Sequence, residues 1–158
     1  MKKKAYTIKQ GVELAKEYCS IAERCQSEVF NKLIDWGLNH EEADEVISEL
    51  ILENYISETR FAKLYAISKF HQNHWGKKKI SYSLKYKGIS NQCIISGLDE
   101  IEEKEYLNIC QRLYERKYLE LRDINPEVKK QKTINFLMGK GYEYDIIKQV
   151  IERKDGDN

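Results

Sequence analysis

With 158 residues, one proline, eight glycines and 34% charged side chains, the chain is long enough to bury a moderate core and too short for a large multidomain scheme. A net charge of +1 gives no general reason to expect a polyanion partner, and the abundance of Lys, Glu, Ile and Leu argues against an all-β fold. No apolar run approaches the roughly 18 residues needed to cross a bilayer, and the Met-Lys-Lys-Lys start leads into amphipathic sequence rather than a secretory core. A cytoplasmic protein without membrane association is expected.

Apolar residues recur at helical spacing almost throughout, which predicts eight or nine helices. Thr7 with Gln10 forms a capping-box pair that opens the first, with Ile8, Val12, Ala15 and Cys19 on one face. A second helix carries Val29, Phe30, Leu33 and Ile34 and stops at Gly37, since glycine adopts the left-handed conformation after a helix at least cost. Asn39 with Glu42 caps a third, lined by Ala43, Val46, Ile47 and Leu50. Ser57 and Glu58 open a longer helix running through Phe61, Leu64 and Tyr65 towards Trp75.

The same punctuation then recurs twice. Leu33, Leu84 and Leu137 each precede a glycine by four residues, and Gly37, Gly88 and Gly141 each precede an apolar or aromatic residue, Leu38, Ile89 and Tyr142. Six residues beyond the glycines stand Ala43, Ile94 and Ile147, and ten beyond stand Ile47, Leu98 and Ile151. The glycines are 51 and 53 residues apart, so the chain reads as an all-α tandem array of three three-helix modules, 1–54, 55–105 and 106–158. Units this small cannot bury their apolar stripes alone, so an elongated, curved, solenoid-like array is expected.

Charge is distributed unevenly over these modules. Between Thr59 and Leu98 there are eight Lys or Arg residues and no Asp or Glu, which leaves the rest of the chain net acidic. Turning Ile80 and Leu84 inward on a helix puts Lys78, Tyr82 and Lys85 on the opposite side, flanked by Lys79 and Tyr86. Lysines neutralise phosphates and tyrosine rings stack on unpaired bases, so the face suits single-stranded nucleic acid or an acidic protein groove. The alternative is a solvated face whose tyrosines pack on the next module.

Catalytic signatures are weak by comparison. Cys19, Cys25, Cys93 and Cys110 form no C-x-x-C pair, and reduced thiols are expected, although a Cys19–Cys25 disulfide is conceivable. His71 and His74 could share a helix face, but the acid-free segment supplies no third metal ligand nearby, which favours surface or packing histidines. There is no G-x-S-x-G and no G-x-x-x-x-G-K-[ST], and Gly139 and Gly141 are followed by Tyr144 where a dinucleotide fingerprint needs glycine. Glu41, Glu42, Asp44 and Glu45 fit the favourable placement of acids in a helix's first turns. A non-enzymatic protein with no cofactor and no metal is expected.

The run Tyr55-Ile56-Ser57-Glu58-Thr59-Arg60-Phe61-Ala62, followed by Gly76, Ile80, Leu84 and Lys87-Gly88-Ile89, resembles the bacterial RecX regulatory proteins, with the likeness extending from about Cys19 to the end. The resemblance implies tandem three-helix modules and a regulator that binds the RecA filament on single-stranded DNA and inhibits recombinase and co-protease activity, in DNA repair and the SOS response. On that analogy Arg60, Lys63, Lys69, Lys77, Lys78, Lys79, Tyr82, Lys85 and Lys87 would face the filament and its DNA, with the protein acting as a monomer. A RecA-independent nucleic-acid-binding repeat protein is the rival expectation. Ser57-Glu58 stands where the family often has two acids, and His71-Gln72-Asn73-His74-Trp75 replaces a more basic stretch, so contacts to RecA are expected to dominate over contacts to DNA.

Overall fold

The computed structural model describes residues 6–122 and 125–156; the Met1–Lys4 start lies outside them. The described residues form helices α1 (Ile8–Ile21), α2 (Gln26–Asp35), α3 (His40–Leu52), α4 (Glu58–Asn73), α5 (Lys77–Tyr86), α6 (Asn91–Leu98), α7 (Glu103–Glu120), α8 (Pro126–Gly139) and α9 (Tyr144–Gly156), with no strand among them. Both capping boxes form as the sequence suggests. Gln10 N donates to Thr7 Oγ1 at 3.1 Å, and Glu42 N donates to Asn39 Oδ1 at 2.9 Å, each with the reciprocal bond back to the cap amide.

The three repeated leucine–glycine turns have one geometry. Gly37, Gly88 and Gly141 take φ of +99°, +83° and +99°. The amides of Leu38, Ile89 and Tyr142 each donate to the carbonyl of the leucine four residues before the glycine, at 3.1 Å, and the glycine amides donate to Ile34, Lys85 and Met138. This is the Schellman ending, which satisfies carbonyls that a helix terminus would otherwise leave without partners. Leu33, Leu84 and Leu137 are fully buried, as nearly are Leu38, Ile89 and Tyr142, and α3, α6 and α9 each begin three residues after their glycine.

Packing divides the chain into two compact units, Met1–Leu64 with Leu84–Ser96, and Tyr65–Ser83 with Gly97–Asn158, so that α4, α5 and α6 contribute residues to both. In the first unit α3 packs on α1 and α2 around Val12, Val29, Leu33, Val46 and Leu50. In the second, α7 packs on α8 and α9, and Phe70, Tyr106 and Tyr142 form an aromatic row with centroids 5.7 and 5.1 Å apart.

Backbone hydrogen bonds in the second unit fix the start of α5. Gly76 N donates to Lys140 O at 2.7 Å, Lys78 N to Gly141 O at 2.9 Å, and Lys77 N to the Tyr106 hydroxyl at 2.9 Å. The Tyr106 hydroxyl in turn donates to the Glu143 carboxylate. Three amides of the α5 N-terminus thus find partners on the α8–α9 turn and α7. The approach is close enough that a Cβ on Gly76 would lie 2.2 Å from the Gly141 carbonyl carbon, and one on Gly141 would lie 2.4 Å from the Lys79 Cβ.

Two expectations follow. Gly88→Ala meets nothing within 4 Å and carries only the left-handed backbone penalty, about 1–2 kcal/mol, whereas Gly141→Ala adds a clash of about 1–3 kcal/mol. Equal losses for the two in urea denaturation would contradict the close approach. Alkaline pH supplies the second. Burial first, then Glu143, raises the Tyr106 phenol, and burial raises Tyr142 and pushes the Cys110 thiol up to about 12. The unfolded chain releases these protons near the ordinary thiol and phenol values of about 8.5–10, while the folded chain retains them, so stability falls as pH rises above about 8.5. Cys110→Ala should flatten the fall between about pH 8.5 and 10 by on the order of 1–2 kcal/mol in urea titrations, and an unchanged slope would count against burial of the thiol as its cause.

Candidate nucleic-acid interface

Helix α5 has the sequence Lys-Lys-Lys-Ile-Ser-Tyr-Ser-Leu-Lys-Tyr, and burial of Ile80 and Leu84, one turn apart, fixes its orientation. Lys78, Tyr82 and Lys85 then project outward along the other side, with Lys79 and Tyr86 beside them. Tyr82 is 76% and Tyr86 90% exposed, so neither ring is packed away. Large aromatic rings this open, interleaved with lysines, provide the two elements that unpaired nucleic acid engages, a π face and a mobile positive charge.

The remaining candidates differ in what holds them. In the second unit, Lys79 Nζ sits 4.7 Å and Lys69 Nζ 5.0 Å from the Trp75 ring centroid, and Lys77 Nζ lies 4.9 Å from that of Tyr106. Aromatic faces orient these ammonium groups without neutralising them. In the first unit Arg60 is committed internally. Its Nε donates to Glu23 Oε2 at 2.7 Å, and its Nη2 donates to the carbonyls of Asn54 and Tyr55 at 3.2 and 3.3 Å, tying the α3–α4 connection to α4. Lys87 Nζ pairs with Glu28 at 3.5 Å, and the Lys87 carbonyl accepts from Ser27 Oγ at 2.7 Å. Lys63 is half-buried in the same unit.

Chain-distant partners are what the sequence could not reveal. Glu23 is 37 residues from Arg60, and Glu105, 34 residues from His71, meets the His71 Nε2 at 3.0 Å. Trp75 carries a usable signal, because it is the one tryptophan inside the acid-free segment, yet its role as a platform for two lysines depends on the turn after α4. The four thiols are free, and Cys25 and Cys110 are buried. Cys25 heads α2, where its amide donates to Glu28 Oε1 at 3.1 Å.

Taken together, these features define an all-helical repeat protein with an exposed cationic and aromatic face on α5. Residues 57–98 match the RecX second three-helix domain and residues 103–151 the RecX third three-helix domain, together more than half of the chain. The chain belongs to the RecX family. It is similar to the regulatory protein RecX of Lactobacillus johnsonii, 28% identical over 153 residues that cover 97% of this chain and 56% of that protein. The regulatory protein RecX of Clostridium botulinum is 32% identical over 134 residues, covering 82% of this chain and 61% of the relative. This chain therefore spans little more than half the length of those relatives. The crystal structure of RecX from Lactobacillus salivarius superposes with a TM-score of 0.85 at 26% identity, covering 94% of this chain and 96% of that one.

The different settings of the cations separate those that hold the fold from those that are open to solvent. Arg60→Ala should lower stability by about 1–2 kcal/mol, because carbonyls and a carboxylate lose a charged donor at a partly exposed site. Lys78→Ala should stay within about 0.5 kcal/mol of the parent in the same denaturation experiment. A larger loss for Lys78→Ala than for Arg60→Ala would reverse this assignment.

Proposed function

We propose that this chain is a non-enzymatic regulator of the RecA recombinase that binds the RecA filament on single-stranded DNA and restrains its recombinase and co-protease activity. The observation that carries the reading is the open α5 face of Lys78, Tyr82 and Lys85, in a chain of the RecX family. Lysines there would neutralise strand phosphates or filament carboxylates, and Tyr82 would stack on an unpaired base or an exposed filament side chain. Lys79, Lys69 and Lys77, each held over an aromatic ring, widen the positive field. Arg60 and Lys87 support the fold around it through Glu23 and Glu28. The protein would act as a cytoplasmic monomer in DNA repair and the SOS response.

A second reading, a nucleic-acid-binding repeat protein that needs no RecA, draws on the exposure of Tyr82 and Tyr86. One assay addresses the first reading: RecA-dependent ATP hydrolysis on single-stranded DNA, measured with increasing amounts of this protein. Turnover should fall, and a Lys78→Glu, Tyr82→Ala, Lys85→Glu variant should need roughly tenfold more protein for the same effect. Unchanged turnover and unchanged filament length at saturating protein would remove RecA from the account.

A further inference from the structure

The second unit holds another concentration of positive charge, centred on α7 in the acid-rich part of the chain. Arg112 and Arg116 stand one helical turn apart and are exposed, and neither is ion-paired among the described residues. Like charges at this spacing repel. On the turn between α8 and α9, Lys140 donates Nζ to Asn73 O at 3.0 Å. Burial, and then the nearness of Lys79 and Arg116, press its pKa below the usual lysine value, so Lys140 has each of these cations near it.

The two arginines line a cavity of about 420 Å³ together with His74, Ile109, Leu113 and Leu119. Glu115 also lines it, and its Oε1 accepts from Gln111 Nε2 at 3.2 Å. His74 ends α4 in the left-handed region, with φ of +54°, where a residue with a side chain is held at a cost. Its Nδ1 is buried and has no hydrogen-bond partner among the described residues, so the ring is not fixed by a bond on that side. Leu119, 80% exposed, leaves an apolar rim beside the guanidinium groups. Mutual repulsion, an unanchored histidine and an open apolar rim are each unfavourable without a ligand, and one anion with an apolar attachment would offset all three.

We propose that this cavity is a phosphate site that takes one phosphodiester of a single nucleic-acid strand. Arg112 and Arg116 donate to the non-bridging oxygens through their planar forks, Lys140 adds positive charge, and Ile109 and Leu119 lie against the sugar. The apolar rim of Ile109 and Leu119 beside the guanidinium groups favours an anion that carries an apolar attachment, as a strand does, over the free ion. The site deepens the regulator reading, on which it rests, by adding on α7 a second contact for the strand, lined by α7 residues and His74 and by none of the α5 face.

The test measures binding of fluorescein-labelled (dT)20 by the full chain without RecA, at several salt concentrations, with thermal melts run in parallel. Arg112→Ala with Arg116→Ala should weaken binding about tenfold and lower the slope of log Kd against log salt by about one to two, with no loss of melting temperature. Lys140→Gln should weaken binding in the same direction, and Lys104→Ala, exposed near the start of α7, should not change it. Wild-type affinity and slope in the double variant would overturn the site. A stabilising effect of inorganic phosphate that the double variant loses, combined with unchanged (dT)20 binding, would overturn the strand as its occupant. RecA is absent throughout, so failure here is distinct from failure of the ATP-hydrolysis assay.

Discussion

A single capped turn organises this protein. At the ends of α2, α5 and α8 a buried leucine presents its carbonyl to the amide following a left-handed glycine, and the apolar residue carrying that amide is itself buried. The turn works because a side chain at the glycine position would incur the left-handed penalty, and because the leucine and the following residue bury their side chains on the same side. Repeated at Gly37, Gly88 and Gly141, it sets the start of α3, α6 and α9 three residues later and hence the face each presents inward. At Gly141 the absent Cβ has a further consequence, since it lets the backbone of Gly76 and Lys78 approach closely enough to hydrogen-bond.

That approach links the fold to the open face of α5. The amides at the start of α5 are held by Lys140, Gly141 and Tyr106, so α5 is fixed along its axis, and burial of Ile80 and Leu84 fixes its rotation. With both degrees of freedom settled, Lys78, Tyr82 and Lys85 have no direction open to them except solvent. The lysines nearer the core are oriented by aromatic rings instead, which keeps their charge available while restricting the flexible stems. Arg60 is treated differently because the α3–α4 connection leaves carbonyls of Asn54 and Tyr55 that need donors, and a guanidinium can serve several at once.

The two positively charged regions differ in origin. The α5 face arises from a segment without acids, so it is visible as a gap in the charge pattern. The α7 cavity arises in sequence dense with both signs, where Arg112 and Arg116 alternate with Glu115 and Lys117, and nothing in that order separates them from a solvated helix. Within α7 Glu115 pairs with Gln111 one turn back, and only the fold brings Lys140 of the α8–α9 turn close to Arg116.

The sequence by itself determined the helical class, the threefold repeat and the outward face of α5, because helix periodicity, capping boxes and left-handed glycines act over spans of two to eight residues. It also carried the family resemblance, since Tyr55 to Ala62 and Lys87 to Ile89 are contiguous runs. Tertiary structure alone decided which cations are engaged and which are open. Glu23 reaches Arg60 and Glu105 reaches His71 across more than thirty residues, and charge interactions depend on distance in space, with no periodic trace along the chain. The same holds for the reason behind Gly76: the sequence shows it only as part of the family resemblance, and its missing side chain is required because Gly141 is folded against it.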